Sequence, residues 1–310
     1  MIDNKILVQT DSAAVLKAPQ KHKKDPGASK IFKVIVYVLL SIYLLWVVAP
    51  FLIIFLTSFI SSDEIHKTLS FVWWPKEGFT LDAYKTIFVD DYLKIGAIPS
   101  LLRGLFNTLW ITIPTMVISL FVSGLAAYAY SKLQFKGKNV MYMITLAVMM
   151  LPMSVMTIPS YVMYDTIGWT NSPLPLIIPG MFGGAVTIFF FRQFFASIPN
   201  ELMEAAKLDG LGYFSIYVQI VLPLSKVAFM AQAIFGFIGG YNSYVGPLIY
   251  LTKEKYYTLQ IVVNQFASSY GNKYSVVCAT ALVALIPLII VYVFCQKFFV
   301  QGIAATGLKS

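Results

Sequence analysis

Six stretches of the chain run on without Asp, Glu, Lys or Arg: residues 34 to 62, 104 to 131, 139 to 164, 166 to 191, 227 to 252 and 274 to 296. Each is predominantly apolar and long enough to supply the ~20 residues a helix needs to cross a bilayer. The next longest such stretches, 256 to 272 and 210 to 225, are shorter and broken by Asn, Gln, Ser, Tyr or paired glycines. The pattern predicts an all-α polytopic membrane protein with six transmembrane helices, over approximately 34–60, 105–130, 140–163, 174–194, 226–250 and 275–297. These spans form a transmembrane domain over 31–299 with one long connecting loop at 195–223. A polar N-terminal tail over 1–30 and a C-terminal tail over 300–310 flank it.

Composition supports lipid as part of the solvent, since 58% of the 310 residues are hydrophobic and 12% charged, too few to cover a polar surface. The net charge of +9 would suit nucleic acid or an anionic surface if it were clustered, but it is spread over short connecting segments. Topology explains it better than nucleic acid does. With the N-terminus inside, the inner segments hold 15 of the 23 basic residues against 6 of the 14 acidic ones, and the outer segments hold 8 of each. That asymmetry predicts both termini in the cytoplasm. Residues 1–30 lack the apolar core and small-residue cleavage site of a signal peptide, so the first span is expected to be an uncleaved anchor. The outer segment 63–103 carries Trp73, Trp74 and Tyr84, amphipathic rings suited to an interfacial cap.

Candidate chemistry is sparse. Cys278 and Cys295 share one span 17 positions apart, roughly 25 Å along a helix, so they cannot form a disulfide. His22 and His66 have no ligand cluster around them, and no metal or other cofactor is expected. None of the six charge-free stretches carries an Asp, Glu, Lys, Arg or His of the kind that proton- or voltage-driven transporters place in the membrane. No phosphate-binding loop occurs either, since Gly137-Lys138 is followed by Asn139. An energy source, if there is one, must therefore act from another polypeptide. Every span contains or abuts proline, and Gly180 to Gly184 and Gly236 to Gly240 place small residues on one helix face, which predicts close helix packing.

The loop 195–223 is the place to look for a docking point. After Ser197-Ile198-Pro199-Asn200, which offers capping side chains, Glu201 to Leu208 has strong helix formers with acids near its start. Asp209, Gly210 and Gly212 break that helix, and Tyr213 to Val221 forms a second before Pro223. Helix, glycine elbow and helix make a compact knuckle.

The run Glu204-Ala205-Ala206, then Gly210, then Ile220-Val221-Leu222-Pro223 resembles the EAA signature of bacterial ABC importer permeases, spacing included. Trp74-Pro75 with Phe79-Thr80-Leu81 and Tyr84, Asn107-Thr108, Ala126-Ala127-Tyr128-Ala129, Phe135-Lys136-Gly137-Lys138, Pro152 and Ile158-Pro159 are similar to the MalG-type branch that serves carbohydrates. In the fifth span, Tyr241-Asn242-Ser243-Tyr244 stands where that branch often has Trp-Asn and an acid, a departure leaning towards larger oligosaccharides. The resemblance implies a MetI-like, type I permease fold in a bacterial cell membrane and a non-catalytic subunit. It also implies a MalF-like second permease, two cytoplasmic ABC ATPases that bind ATP and Mg, and a solute-binding protein delivering sugar. Glu204, Ala205, Ala206, Gly210, Ile220, Leu222 and Pro223 would then couple to the ATPase, with Ala205 and Ala206 small enough to let the helix sit in its groove. Tyr241, Asn242 and Tyr244 are candidate sugar contacts. Alternatively, Asn242 satisfies a neighbouring helix and the tyrosines mark the outer interface. A permease for another polar solute, a stand-alone secondary transporter and a non-transporting membrane scaffold or sensory subunit remain as other readings.

Overall fold

The computed structural model describes residues 30–68 and 74–307, so the predicted tail over 1–29, Trp73 and residues 308–310 lie outside the described residues. Among these residues the chain is helical apart from an isolated bridge between Ile95 and Ile98. Helix α1 (Lys30–Ser58) belongs for most of its length to an N-terminal unit ending at Leu52. Beyond Lys33 it carries no charged residue and is predominantly apolar, as a helix meant for lipid must be.

The second unit, from Ile53 onward, holds the remaining helices. They are α2 (Ser62–Thr68), α3 (Asp82–Phe88), α4 (Ser100–Lys132), α5 (Lys138–Met149), α6 (Met153–Thr166), α7 (Leu174–Met181) and α8 (Ala185–Ala196). There follow α9 (Asn200–Leu208), α10 (Tyr213–Ile216), a π turn over Tyr217–Val221, α11 (Leu222–Leu224), α12 (Lys226–Tyr241), α13 (Val245–Tyr250), α14 (Leu259–Ser269) and α15 (Tyr274–Gly307). Phe32–Ser58, Ser100–Lys132, Leu174–Ala196 and Tyr274–Gln296 are each long and apolar enough to cross a membrane. Two bent pairs, Lys138–Met149 with Ser154–Thr166 and Tyr213–Leu224 with Lys226–Tyr241, are apolar enough only when each pair is taken together, so the described residues hold four to six candidate crossings.

Three expectations change. The third span is two helices, because Pro152 disfavours helical backbone at Leu151 and the chain turns there. The fifth, expected to run over 226–250, stops at Tyr241 and resumes at Val245. Pro247 has no N–H to donate and its ring opposes the carbonyl four residues back, at Ser243, so the gap falls at 242–244. The C-terminal tail expected from residue 300 is helical as far as Gly307, with no proline to end it and only Gly302 to weaken it.

Helix α4 is the mast of the second unit, with α7, α8, α12 and α14 packed along it. Lipid gives apolar helices no hydrophobic reason to associate, so they gain mainly from dispersion at close backbone approach, which glycine permits. Gly180, Gly236 and Gly240 of the two predicted pairs serve this purpose, whereas a Cβ on Gly184 would meet only Thr187 Oγ1 of its own helix at 3.7 Å. A Cβ on Gly180 would lie 2.5 Å from Thr115 Cγ2, one on Gly236 would lie 3.2 Å from Met116 Cγ, and one on Gly240 would collide with Thr112. Gly183, at φ +91°, fits against Ser123, whose Oγ accepts the Gly184 N–H at 3.2 Å and holds the break between α7 and α8 to the mast.

At the start of α4, the buried Asp91 carboxylate accepts the N–H groups of Leu93 and Ser100, occupying the positive end of that helix. Glu64, also buried, accepts the N–H of Lys76 at 2.6 Å and that of Glu77 at 3.3 Å, which closes the cap. Helix α14 seats on the same end, with Leu259 N–H donating to Thr108 Oγ1 at 2.9 Å and Gly104 meeting the Leu259 backbone.

The close approach of α12 to α4 generates a test. Gly240→Val should destabilise the assembled protein by about 1–3 kcal/mol through overpacking against Thr112. Gly239→Ala, where nothing lies within 4 Å, should cost no more than an ordinary surface change. Thermal unfolding of the detergent-purified protein measures both, and equal melting temperatures would contradict the close-approach account.

Candidate functional site

The sequence-predicted knuckle is present, at the far end of α4 from the acidic cap. Its first helix, α9, shows two faces. Met203 and Ala206 point into a cluster with Ala127 and Tyr128 of α4, Phe191 and Phe195 of α8, and Ala228 of α12. Glu201, Leu202, Glu204, Ala205, Lys207 and Leu208 face outward. Ala206 is 4% exposed, so its smallness serves the protein's own core, and only Ala205 of the two alanines can meet a partner. No side chain caps the start of α9; the Asn200 amide oxygen instead accepts from Lys132 Nζ at 2.9 Å. That ammonium also reaches the Ile198 carbonyl, tying the root of the knuckle to the end of α4.

The elbow has a specific geometry. Gly210 N–H donates to Lys207 O and Leu211 N–H to Ala206 O, both at 3.0 Å, and Gly210 takes φ +84°. These are the paired bonds of a Schellman ending, which needs a left-handed residue at that position. Leu211 packs back onto the cluster.

Tyr217 is then fully buried, edge-on to Phe121 and tilted against Tyr128, with its hydroxyl donating to Phe121 O at 3.1 Å beside Gly124. The π turn over Tyr217–Val221 widens the helix just before Pro223, whose ring would otherwise press on the Gln219 carbonyl. Ile220 and Leu222 are half-buried in the cluster and Pro223 is exposed. Beyond Leu224 the chain turns by 80° at Ser225 into α12. Pro223 therefore ends the knuckle rather than opening the fifth span.

The outer surface of the knuckle combines charge with exposed apolar side chains. Leu208 is 90% exposed, and Tyr213 and Phe214 stand out beside it in sequence, with Lys207 Nζ 4.7 Å over the Tyr213 ring. Such a surface on a folded protein marks a contact site.

A second feature was not anticipated. A cavity of about 410 Å³ opens between α4, α7, α8, α12 and α13. Thr108, Thr112, Thr115 and Ser119 of α4 line one wall, and Thr187, Gln232, Ser243 and Thr258 line the others. No lining residue is ionisable. Thr187 Oγ1 donates to Gln232 Oε1 at 3.4 Å, and the buried Thr258 hydroxyl has no hydrogen-bond partner. The α4 hydroxyls recur at intervals of four, three and four residues, a helical stripe that could have been found from sequence.

The three residues proposed as sugar contacts do not line this cavity. Tyr241 is 1% exposed and its hydroxyl is spent on Ala284 O at 2.7 Å. Asn242 ends α12, donating to Ile238 O at 3.0 Å and accepting from Gln260 at 3.5 Å. Tyr244 donates to Asn264 Oδ1 at 3.1 Å. Their neighbour Ser243 is the residue of this segment that reaches the cavity wall.

A polytopic bundle that holds an uncharged polar cavity beside a packed knuckle has the architecture of a membrane permease. The chain belongs to the family of binding-protein-dependent transport system inner membrane components, whose model matches residues 119–305, more than half of its length. It is thus a multi-pass membrane protein and a component of an ABC importer.

Among its relatives, an arabinooligosaccharides transport system permease protein of Halalkalibacterium halodurans is 29% identical over 84% of this chain and 91% of its own. The corresponding protein of Bacillus subtilis is 33% identical over 67% of this chain and 73% of its own. A solved structure of a bacterial ABC transporter involved in the import of the acidic polysaccharide alginate superposes with a TM-score of 0.74 at 27% identity. It covers 88% of this chain and 99% of that one.

The elbow yields a prediction that separates backbone from contact. Nothing lies within 4 Å of a Cβ placed on Gly210, so any loss on substitution comes from φ alone. Gly210→Asn, which tolerates the left-handed region, should leave amide exchange over α9 near wild type. Gly210→Val should open that helix by about 1–2 kcal/mol, roughly a tenfold faster exchange.

Proposed function

We propose that this chain is one permease subunit of an ATP-driven oligosaccharide importer, paired with a second permease, two cytoplasmic ABC ATPases and a solute-binding protein. The observation that carries the reading is the knuckle: a short helix presents Glu204 and Ala205 outward while its inner face is continuous with the core of the bundle. The sugar assignment draws on the arabinooligosaccharide transport systems of the relatives and on the cavity, where hydroxyl and amide groups in a charge-free wall suit a polar, uncharged solute. ATP and Mg belong to the partner, and this subunit performs no chemistry.

The mechanism follows from connectivity. Met203, Ala206, Ile216, Tyr217 and Val221 share one close-packed cluster with α4, α8 and α12. Packed interiors resist compression, so a push on α9 moves the knuckle together with the helix ends. The bend at Ser225 converts that motion into a tilt of α12 against α4, the two helices whose facing sides form much of the cavity wall. Alternation between two tilts would open the cavity to one side and then the other.

Glu204 is the coupling residue. Of the α9 acids, Glu201 occupies the first turn and takes the benefit of the helix dipole, about 0.3–1 kcal/mol, whereas Glu204 lies a turn further on and gains little there. Its function is to accept a cation, most simply an arginine, from the ATPase groove. Losing one partner of such a pair costs about 2–5 kcal/mol, a 30-fold or greater loss of affinity at the lower end of that range. In proteoliposomes holding the whole complex, Glu204→Ala should therefore shed ATPase and abolish sugar-stimulated hydrolysis, while Glu201→Ala has much less effect. Gln232→Leu should retain the ATPase but lower sugar uptake. Wild-type coupling in Glu204→Ala would overturn the docking assignment, and wild-type uptake in Gln232→Leu the cavity assignment.

We also propose that the knuckle faces the cytoplasm, on the basis of the charge asymmetry between the two sets of loops. A cysteine at Gln134, in the turn after α4, should then resist an impermeant thiol reagent applied to intact cells, and one at Asn272, before α15, should react. The opposite pattern would invert the topology.

A further inference from the structure

At the knuckle end of the bundle, the junction of α4, α5 and α8 gathers cations that form no ion pair with a carboxylate among the described residues. Lys136 stands exposed in the turn before α5, Lys138 opens α5, and Arg192 of α8 lays its guanidinium 3.9 Å over the Tyr142 ring on α5. Among the described residues the one ion pair joins Lys67 to Glu77, in another part of the chain. The charge that acts on the Lys138 ammonium is Arg192, which has the same sign. Lys138 Nζ makes a single hydrogen bond, to Leu133 O at 2.8 Å, and Arg192 Nε makes none. The adjacent Lys132 differs, because its ammonium is occupied by Ile198 O and Asn200 Oδ1. Helix α5 adds to the same potential. It starts after Gly137 with no capping side chain and no acid in its first turn, so its positive end is bare.

Like charges brought together in this way repel, and an anion from outside the chain relieves the repulsion. The surroundings identify which kind. Tyr130 lies 6.5 Å from Phe135 and 5.5 Å from Tyr142, ring to ring, the amphipathic aromatics expected at a membrane boundary. Directly beyond the cations, Val140, Met141, Met143 and Ile144 form an exposed apolar surface along α5. A soluble phosphate would satisfy the cations and leave that surface bare. A phospholipid satisfies both, with its phosphate among the cations and its acyl chains along the helix.

We infer that this junction is a binding site for the headgroup of an acidic phospholipid, held by Lys136, Lys138 and Arg192 with its chains on the outer face of α5. The bound lipid would sit next to Lys132 and Ile198, the tie between α4 and the knuckle, and so would bear on the segment that transmits the ATPase stroke.

The test uses the whole complex in nanodiscs of phosphatidylcholine doped with photoactivatable phosphatidylglycerol, with the crosslinked peptide identified after digestion. Adducts should concentrate on residues 136 to 144 and persist in excess inorganic phosphate. Each cation near an anionic lipid contributes roughly a fivefold gain in affinity, so K136Q/K138Q should lower labelling there about tenfold or more. K226Q, which removes an exposed cation elsewhere at the same end, should leave it unchanged. K136Q alone alters only an exposed turn and should give an intermediate loss without change in melting temperature. Equal labelling in wild type and K136Q/K138Q, an equal loss in K226Q, or displacement by inorganic phosphate would each overturn the assignment.

Discussion

The closeness of other backbones to α4 is the constraint on which the second unit depends. In water, helices of this composition would be driven together by their apolar surface alone. In lipid that drive disappears, and contact must be built from short-range dispersion and a few hydrogen bonds. Gly180, Gly183, Gly236 and Gly240 bring α7, the α7–α8 break and α12 against one length of α4, and Gly124 makes room there for Tyr217. The same length of α4 presents the hydroxyl stripe to the cavity. Packing and pathway therefore share residues on one helix, since Thr112 and Thr115 meet Gly240 and Gly180 and also line the cavity, and neither can drift in sequence without the other.

The knuckle extends this logic beyond the spans. Its inner face is not a separate hydrophobic nucleus but a continuation of the cluster at the ends of α4, α8 and α12. Buried Tyr217 links the two, with its ring among the aromatics of α4 and its hydroxyl on an α4 carbonyl. A device that must transmit force needs few soft joints, and here the Schellman elbow at Gly210 and the π turn before Pro223 both use backbone geometry to keep the joint packed. The bend at Ser225 is where the rigid knuckle meets the tilting helix.

A residue type does not say whether its side chain is already engaged. Ala206 holds a coupling position of the family resemblance, yet the helix register turns it into the core beside Met203. Tyr241 and Tyr244 follow the Gly239-Gly240 pair with hydrogen-bonding side chains, and their hydroxyls are bonded to groups further along the chain, Ala284 and Asn264. Conversely the α4 hydroxyls interrupt an apolar run, and their spacing of four, three and four puts them on one face.

What the sequence determined by itself is what depends on composition and local order. The spans follow from charge-free length, the orientation expected for them from the distribution of lysine and arginine, the knuckle from its helix formers and glycines, and the family resemblance from residues at fixed spacing. What only the tertiary structure decided is which groups are still free. Whether a hydroxyl lines a cavity or is already bonded, whether an alanine faces outward, and whether a lysine has a partner all depend on residues tens to more than a hundred positions away. Those meetings are set by how helices pack around α4, and no local pattern encodes them.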